Sequence, residues 1–90
     1  MHLKAGSAQT GLALIEKLVE HNPLDEEASC RLMRAMGILG DRSGIVREFE
    51  RISRALEADL QTRPLPETRR ACDLALAMTT KDIAKHRKSR

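Results

Sequence analysis

The sequence predicts an all-α fold of about four helices arranged as helical hairpins, and three observations carry that expectation. Apolar residues recur at three- and four-residue steps through four separate segments. No segment alternates with period two and the β-branched residues are scattered, so a sheet has nowhere to form. The breaks between the segments hold helix stops and starts: Asn22-Pro23 before Asp25, Gly40 before Asp41, and two prolines in "QTRPLP".

The opening "MHLKAGS" has no periodicity, and residues 1–6 are read as a lead-in. From Ser7, Leu12, Ile15, Leu18 and Val19 mark the apolar face of a first helix. That helix stops at "HNP", because Pro23 disfavours helical geometry at Asn22. Asp25 is placed to cap the second helix, with Glu26 and Glu27 at the positive end of its dipole. Its apolar face is Ala28, Leu32, Ala35, Met36 and Leu39, and Gly40 closes it by taking the left-handed conformation. Asp41 caps the third helix, whose face Ile45, Phe49, Ile52, Leu56 and Leu60 runs over four turns. Pro66 suits the first turn of a fourth helix, which carries Ala71, Leu74, Ala75 and Met78 before Thr79 and Thr80 weaken the pattern. The last stretch, 80–90, holds Lys81, Lys85, Arg87, Lys88 and Arg90 against Asp82 and reads as a frayed basic tail.

Composition narrows the function classes. Ninety residues suffice for one core without metal or disulfide staples. Aromatic residues are 1%, the single Phe49, so the core is built from Leu, Ile, Val, Met and Ala. Cys30 and Cys72 form no close pair, and His2, His21 and His86 are not at metal-ligand spacing, so neither zinc nor a disulfide framework is expected. Free thiols inside helices fit a reducing cytoplasm. The apolar runs "LALI" and "LALAM" are too short to cross a bilayer, and no signal-peptide block opens the chain. No nucleophile-base motif, glycine-rich phosphate loop or cofactor signature is present, so an enzyme is not expected and no small-molecule substrate is evident.

The corner in "MRAMGILGDRSGIVREFERI" decides between a DNA-reading helix-turn-helix and a protein-binding hairpin. Apolar spacing continues through about four turns on either side of Gly40-Asp41, whereas a recognition helix is short and exposes polar residues to base edges. The hairpin is therefore preferred. Arg47, Arg51 and Arg54 form a basic stripe on the third helix, with Glu50 set to pair with Arg54 at i, i+4, and such a stripe reads as a solvated face. The C-terminal cations Lys81, Lys85, Arg87, Lys88 and Arg90 make an anion or nucleic-acid tail the other candidate, but no aromatic residue is placed to stack a base.

A self-comparison adds a repeat. Gly11 and Ile45, Ile15 and Phe49, and Leu18 and Ile52 each lie 34 residues apart, the tetratricopeptide period. The first helix then serves as the second helix of an incomplete preceding repeat, and Phe49 fills the gap between hairpins. The expected architecture is a fragment of a right-handed α-α superhelix of tetratricopeptide-like hairpins. From about Leu14 to Leu76 the ordered series "HNPLDEEASCRLMRAMGILGDRSGIVREFERISRALEADL" and "RPLPETRR" resembles the bacterial transcriptional activator domain. Gln61 stands where that family usually has Gly, and Phe49 where Tyr is common.

The resemblance implies a tetratricopeptide-like domain over 7–79 that serves as the protein-interaction and oligomerisation module of a cytoplasmic transcriptional regulator. DNA would be reached only through a flanking winged-helix domain, for which these residues have no room. The chain would be a fragment of a longer regulator or a stand-alone copy of the module. Few hairpins leave apolar faces uncovered, which favours a homodimer. If the repeat holds, Glu27, Cys30, Arg34 and Ile38 share the inner face of the second helix and line a groove for a partner segment. The competing readings are a stand-alone tetratricopeptide scaffold or chaperone, and an independent helix-turn-helix DNA-binding protein.

Overall fold

The computed structural model describes the backbone of residues 4–88 and the side chains of residues 11–79. Four helices follow in order, α1 Lys4–His21, α2 Glu26–Leu39, α3 Arg42–Leu60 and α4 Pro66–Lys88, with no strand among the described residues. The helix backbone begins at Lys4, within the stretch read as a lead-in, and α4 runs on through Thr79 and Thr80 to Lys88 instead of fraying there. The two threonines do not break the helix because Thr79 is built into it. Its buried hydroxyl donates to the Leu76 carbonyl at 2.8 Å and accepts from Arg42 Nη1 at 3.1 Å.

The caps explain where the helices start and stop. Asp25 Oδ1 accepts from the backbone N–H of Glu27 and Ala28, satisfying two donors that the first turn of α2 leaves without helical partners. At the other end Gly40 takes φ 76°, and the Asp41 N–H reaches back to the Met36 carbonyl at 2.8 Å. Asp41 Oδ1 then caps α3 through the Gly44 N–H at 2.9 Å. Gln61 closes α3 in the left-handed region at φ 51°, its N–H on the Glu57 carbonyl. The turn path that a glycine would take freely is kept here by a glutamine, at a conformational cost of roughly 1 kcal/mol.

α2 is the centre of the packing. It touches α1, α3 and α4, whereas among the described residues α1 meets neither α3 nor α4. The α2 and α4 axes run the same way: Glu26 and Cys30 meet Thr68, and Gly37 further along meets Ala75 and Met78. An antiparallel α2–α3 hairpin followed by a helix parallel to α2 agrees with a hairpin repeat. The approach at Gly37 is close, since a Cβ there would lie 3.1 Å from Ala75 Cα and 3.1 Å from its carbonyl oxygen.

The core is aliphatic, as the composition required. Val19, Ala28, Leu32, Met33, Met36, Ile45, Cys72 and Ala75 form one buried cluster, flanked by the half-buried Leu12, Ile15, Phe49, Ala71 and Leu76. Phe49 lies between α3 and α4, where the Arg69 guanidinium sits 5.8 Å from its ring centroid. Several residues expected on apolar faces point outward instead. Leu18 is 46% exposed, Leu60 52% and Leu74 61%. Leu18 is the 34-residue counterpart of Ile52, which is fully buried because α3 lies on α2. Among the described residues α1 has only α2 beside it, and Leu18 shares a shallow cavity with Asp25, Glu27, Ala28 and Arg31 at the start of that helix.

Candidate interaction site

Two polar ties fix how α3 and α4 lie on α2. Glu48 falls between Ile45 and Ile52 on the apolar side of α3 and is only 6% exposed. Its carboxylate accepts the Ser29 hydroxyl at 2.6 Å and two bonds from Arg51, Nε at 3.0 Å and Nη2 at 2.8 Å. Arg51 spends two further donors on Ser29 Oγ and on the Pro23 carbonyl at 3.0 Å, joining α3 to α2 and to the turn before it. A bidentate guanidinium–carboxylate pair with every oxygen occupied is the arrangement in which a buried charge is tolerated. No buried side-chain nitrogen or oxygen among the described residues lacks a partner. The second tie is Glu26, whose Oε1 accepts the Leu65 N–H at 2.8 Å and the buried Thr68 hydroxyl at 2.5 Å, pinning the start of α4 to the start of α2.

These ties correct the reading of the basic stripe. Arg51 is a structural residue, and the ion pair on α3 is Arg51–Glu48 in place of Glu50–Arg54, which does not form. Arg47 and Arg54 remain exposed. The sequence carries a signal for the tie: a carboxylate at i+3 from Ile45 and i−4 from Ile52 sits on an apolar stripe and needs a cation beside it.

With α2 and α4 parallel and held together at Glu26 and Gly37, their outer sides leave a groove of about 680 Å³. Glu27, Cys30, Arg31 and Arg34 of α2 form one wall, and Ala71, Leu74, Ala75 and Met78 of α4 complete the lining. Glu27, Cys30 and Arg34, expected together on one face of the second helix, are among the residues that line this groove. Ile38 is one turn beyond Arg34, 64% exposed, and is not part of the lining. The α4 side does not show in the sequence, because Leu74 and Met78 have the spacing of core residues; they are 61% and 37% exposed. Helical periodicity marks an apolar face without saying whether a neighbour covers it.

Electrostatically the groove leans positive. Arg31 is 3.2 Å from Glu27, but with side chains 61% and 76% exposed this pair contributes little. Arg34 has no ion-pair partner among the described residues. Cys30 Sγ lies at the groove's start, 3.8 Å from Thr68 Oγ1, half-buried; Cys72 is buried on the core side of α4. Burial, and then the nearby Asp73 carboxylate, push the Cys72 thiol pKa up, so it stays protonated and unreactive.

A second cleft of about 600 Å³ lies over α2 between α1 and α3, with Glu16 and Glu20 on one rim and Arg47 and Arg51 on the other. The side chains of Lys81, Lys85, Arg87 and Lys88, and all of Arg90, lie outside the described residues; the backbone of 81–88 is the end of α4. No helix among the described residues is long and apolar enough to cross a membrane.

The family model for the bacterial transcriptional activator domain matches residues 1–73. No curated protein and no solved structure matches the chain.

Proposed function

The chain belongs to the bacterial transcriptional activator domain family, and from that premise we propose that it is the protein-interaction module of a cytoplasmic transcriptional regulator, without catalytic activity of its own. The observation that carries this reading is the α2–α4 groove, where Leu74 and Met78 stand exposed beside Arg34 on a rigidly tied helix pair. Exposed apolar residues in a groove with a polar rim mark a recognition surface. The carboxylates support a non-catalytic role, since Asp25 and Asp41 cap helices and Glu26 and Glu48 tie them. DNA is reached through a flanking domain of the regulator.

Self-association is part of the proposal. The α1 residues Gly11, Leu14 and Leu18 are the 34-residue counterparts of Ile45, Glu48 and Ile52, the face that α3 buries on α2. On α1 Leu14 and Leu18 are 63% and 46% exposed, and a second copy of the chain would cover them in a homodimer.

The test of an interaction module against a DNA reader is duplex binding by fluorescence anisotropy between low and moderate salt. The expected result is a weak, sequence-independent background that disappears as salt rises. Sequence-specific binding that survives moderate salt and is lost in Arg47→Ala, with the fold intact, would overturn the proposal. Arg51→Ala does not serve here, because Arg51 holds the fold.

A further inference from the structure

We infer that the α2–α4 groove takes an acidic amphipathic helix, its apolar stripe in the trough and its carboxylates on the arginine side; this rests on the groove being the interaction surface. The shape argues for a helix. Leu74 and Met78 form one ridge at helical spacing, Cys30 and Arg34 the other, and between them Ala71 and Ala75 present side chains of a single methyl. Small residues flanked by two larger ridges let a third helix approach closely and lay its own ridge between them.

The charge argues for its sign. The lining carries two arginines against one glutamate, and that glutamate is already matched by Arg31. Among the described residues Arg34 is the uncompensated charge, and it stands beside the apolar trough where a partner carboxylate would be partly desolvated and the attraction correspondingly larger. A basic helix would meet Arg31 and Arg34 at close range, and like-charge contact of that kind discriminates against it.

The probes are two fluorescein-labelled, N-acetylated helical peptides with leucines at i, i+3, i+4 and i+7, flanked by glutamates in one and by lysines in the other. Anisotropy gives the affinity, and the alkylation rate of Cys30 by iodoacetamide, read by mass spectrometry, reports whether the groove is occupied. The glutamate peptide is expected to bind at least about ten-fold more tightly than the lysine peptide, to lose affinity as salt is raised, and to slow Cys30 alkylation. Arg34→Glu, an exposed change with the fold checked by circular dichroism, is expected to weaken the glutamate peptide about five-fold and to favour the lysine peptide.

Equal affinity of the two peptides, with Cys30 still protected and binding still lost in Leu74→Ser, would overturn the acidic preference and leave the groove reading standing. Binding that neither protects Cys30 nor responds to Leu74→Ser, or no binding by either peptide, would overturn both. Protection of Cys30 that grows with the concentration of the chain alone would place a second copy in the groove and overturn the inference.

Discussion

Arg51→Ala is expected to lower the unfolding free energy by about 3 kcal/mol, at the lower end of what breaking a buried ion pair costs because the guanidinium is a third exposed. The loss does not come from the attraction alone. Once the guanidinium is gone, the Glu48 carboxylate, 6% exposed in the intact tie, keeps only the Ser29 hydroxyl, and the Pro23 carbonyl loses a donor. For a domain of this size the melting temperature should fall by roughly 15 °C or more. Removing the whole tie, with Ser29→Ala, Glu48→Leu and Arg51→Met together, should cost less than Arg51→Ala, since no charge is then left stranded. Arg54→Ala on the same helix is exposed and should stay within about 0.5 kcal/mol. Urea unfolding of the four proteins is the check, and equal midpoints for Arg51→Ala and Arg54→Ala would contradict the account of the tie.

Gly37→Leu is expected to cost a comparable amount, about 3 kcal/mol, through overpacking where α2 crosses α4. A Cβ alone would already stand 3.1 Å from Ala75 Cα, and the atoms it meets are helix backbone, which yields less readily than a side-chain tip. The rest of a leucine side chain has to push α4 away, stretching the Glu26 bonds to Leu65 and Thr68. Gly37→Ala is the informative companion, because removing a glycine from a helix interior gains about 1 kcal/mol in propensity and offsets the crowding. Near-neutral alanine with damaging leucine is the expected pair in chemical denaturation. A leucine variant as stable as the parent would mean that the helices are not this close.

The fold was legible because each local signal agreed with the next. Asp25, Gly40, Asp41 and Pro66 mark helix ends through the chemistry of backbone N–H and C=O groups, and that chemistry acts within a few residues. Glu27, Cys30 and Arg34 were placed on one wall by the 34-residue repeat, a long-range symmetry that a sequence does display. The opposite wall was not legible. Leu74 and Met78 have the spacing of core residues, and whether such a stripe is covered depends on how many helices the array contains. The same holds for Leu18, 46% exposed where its counterpart Ile52 is fully buried: α3 lies against both α2 and α4, whereas among the described residues α1 has only α2 beside it. For Arg51 only part of the tie is local: Glu48 is three residues away, whereas Ser29 and the Pro23 carbonyl, which draw the pair into the interface with α2, lie 22 and 28 residues away. Helical periodicity carries no information about contacts at that range.

Self-association through α1 is central to this account, and its most direct test is the solution mass by light scattering across concentration, at low and moderate salt. The account predicts a monomer–dimer equilibrium that salt leaves unchanged, since the α1 face is apolar, and that Leu14→Glu with Leu18→Glu abolishes without altering the helical content. A chain that stays monomeric at every concentration, or a dimer that persists in the double variant, would contradict it.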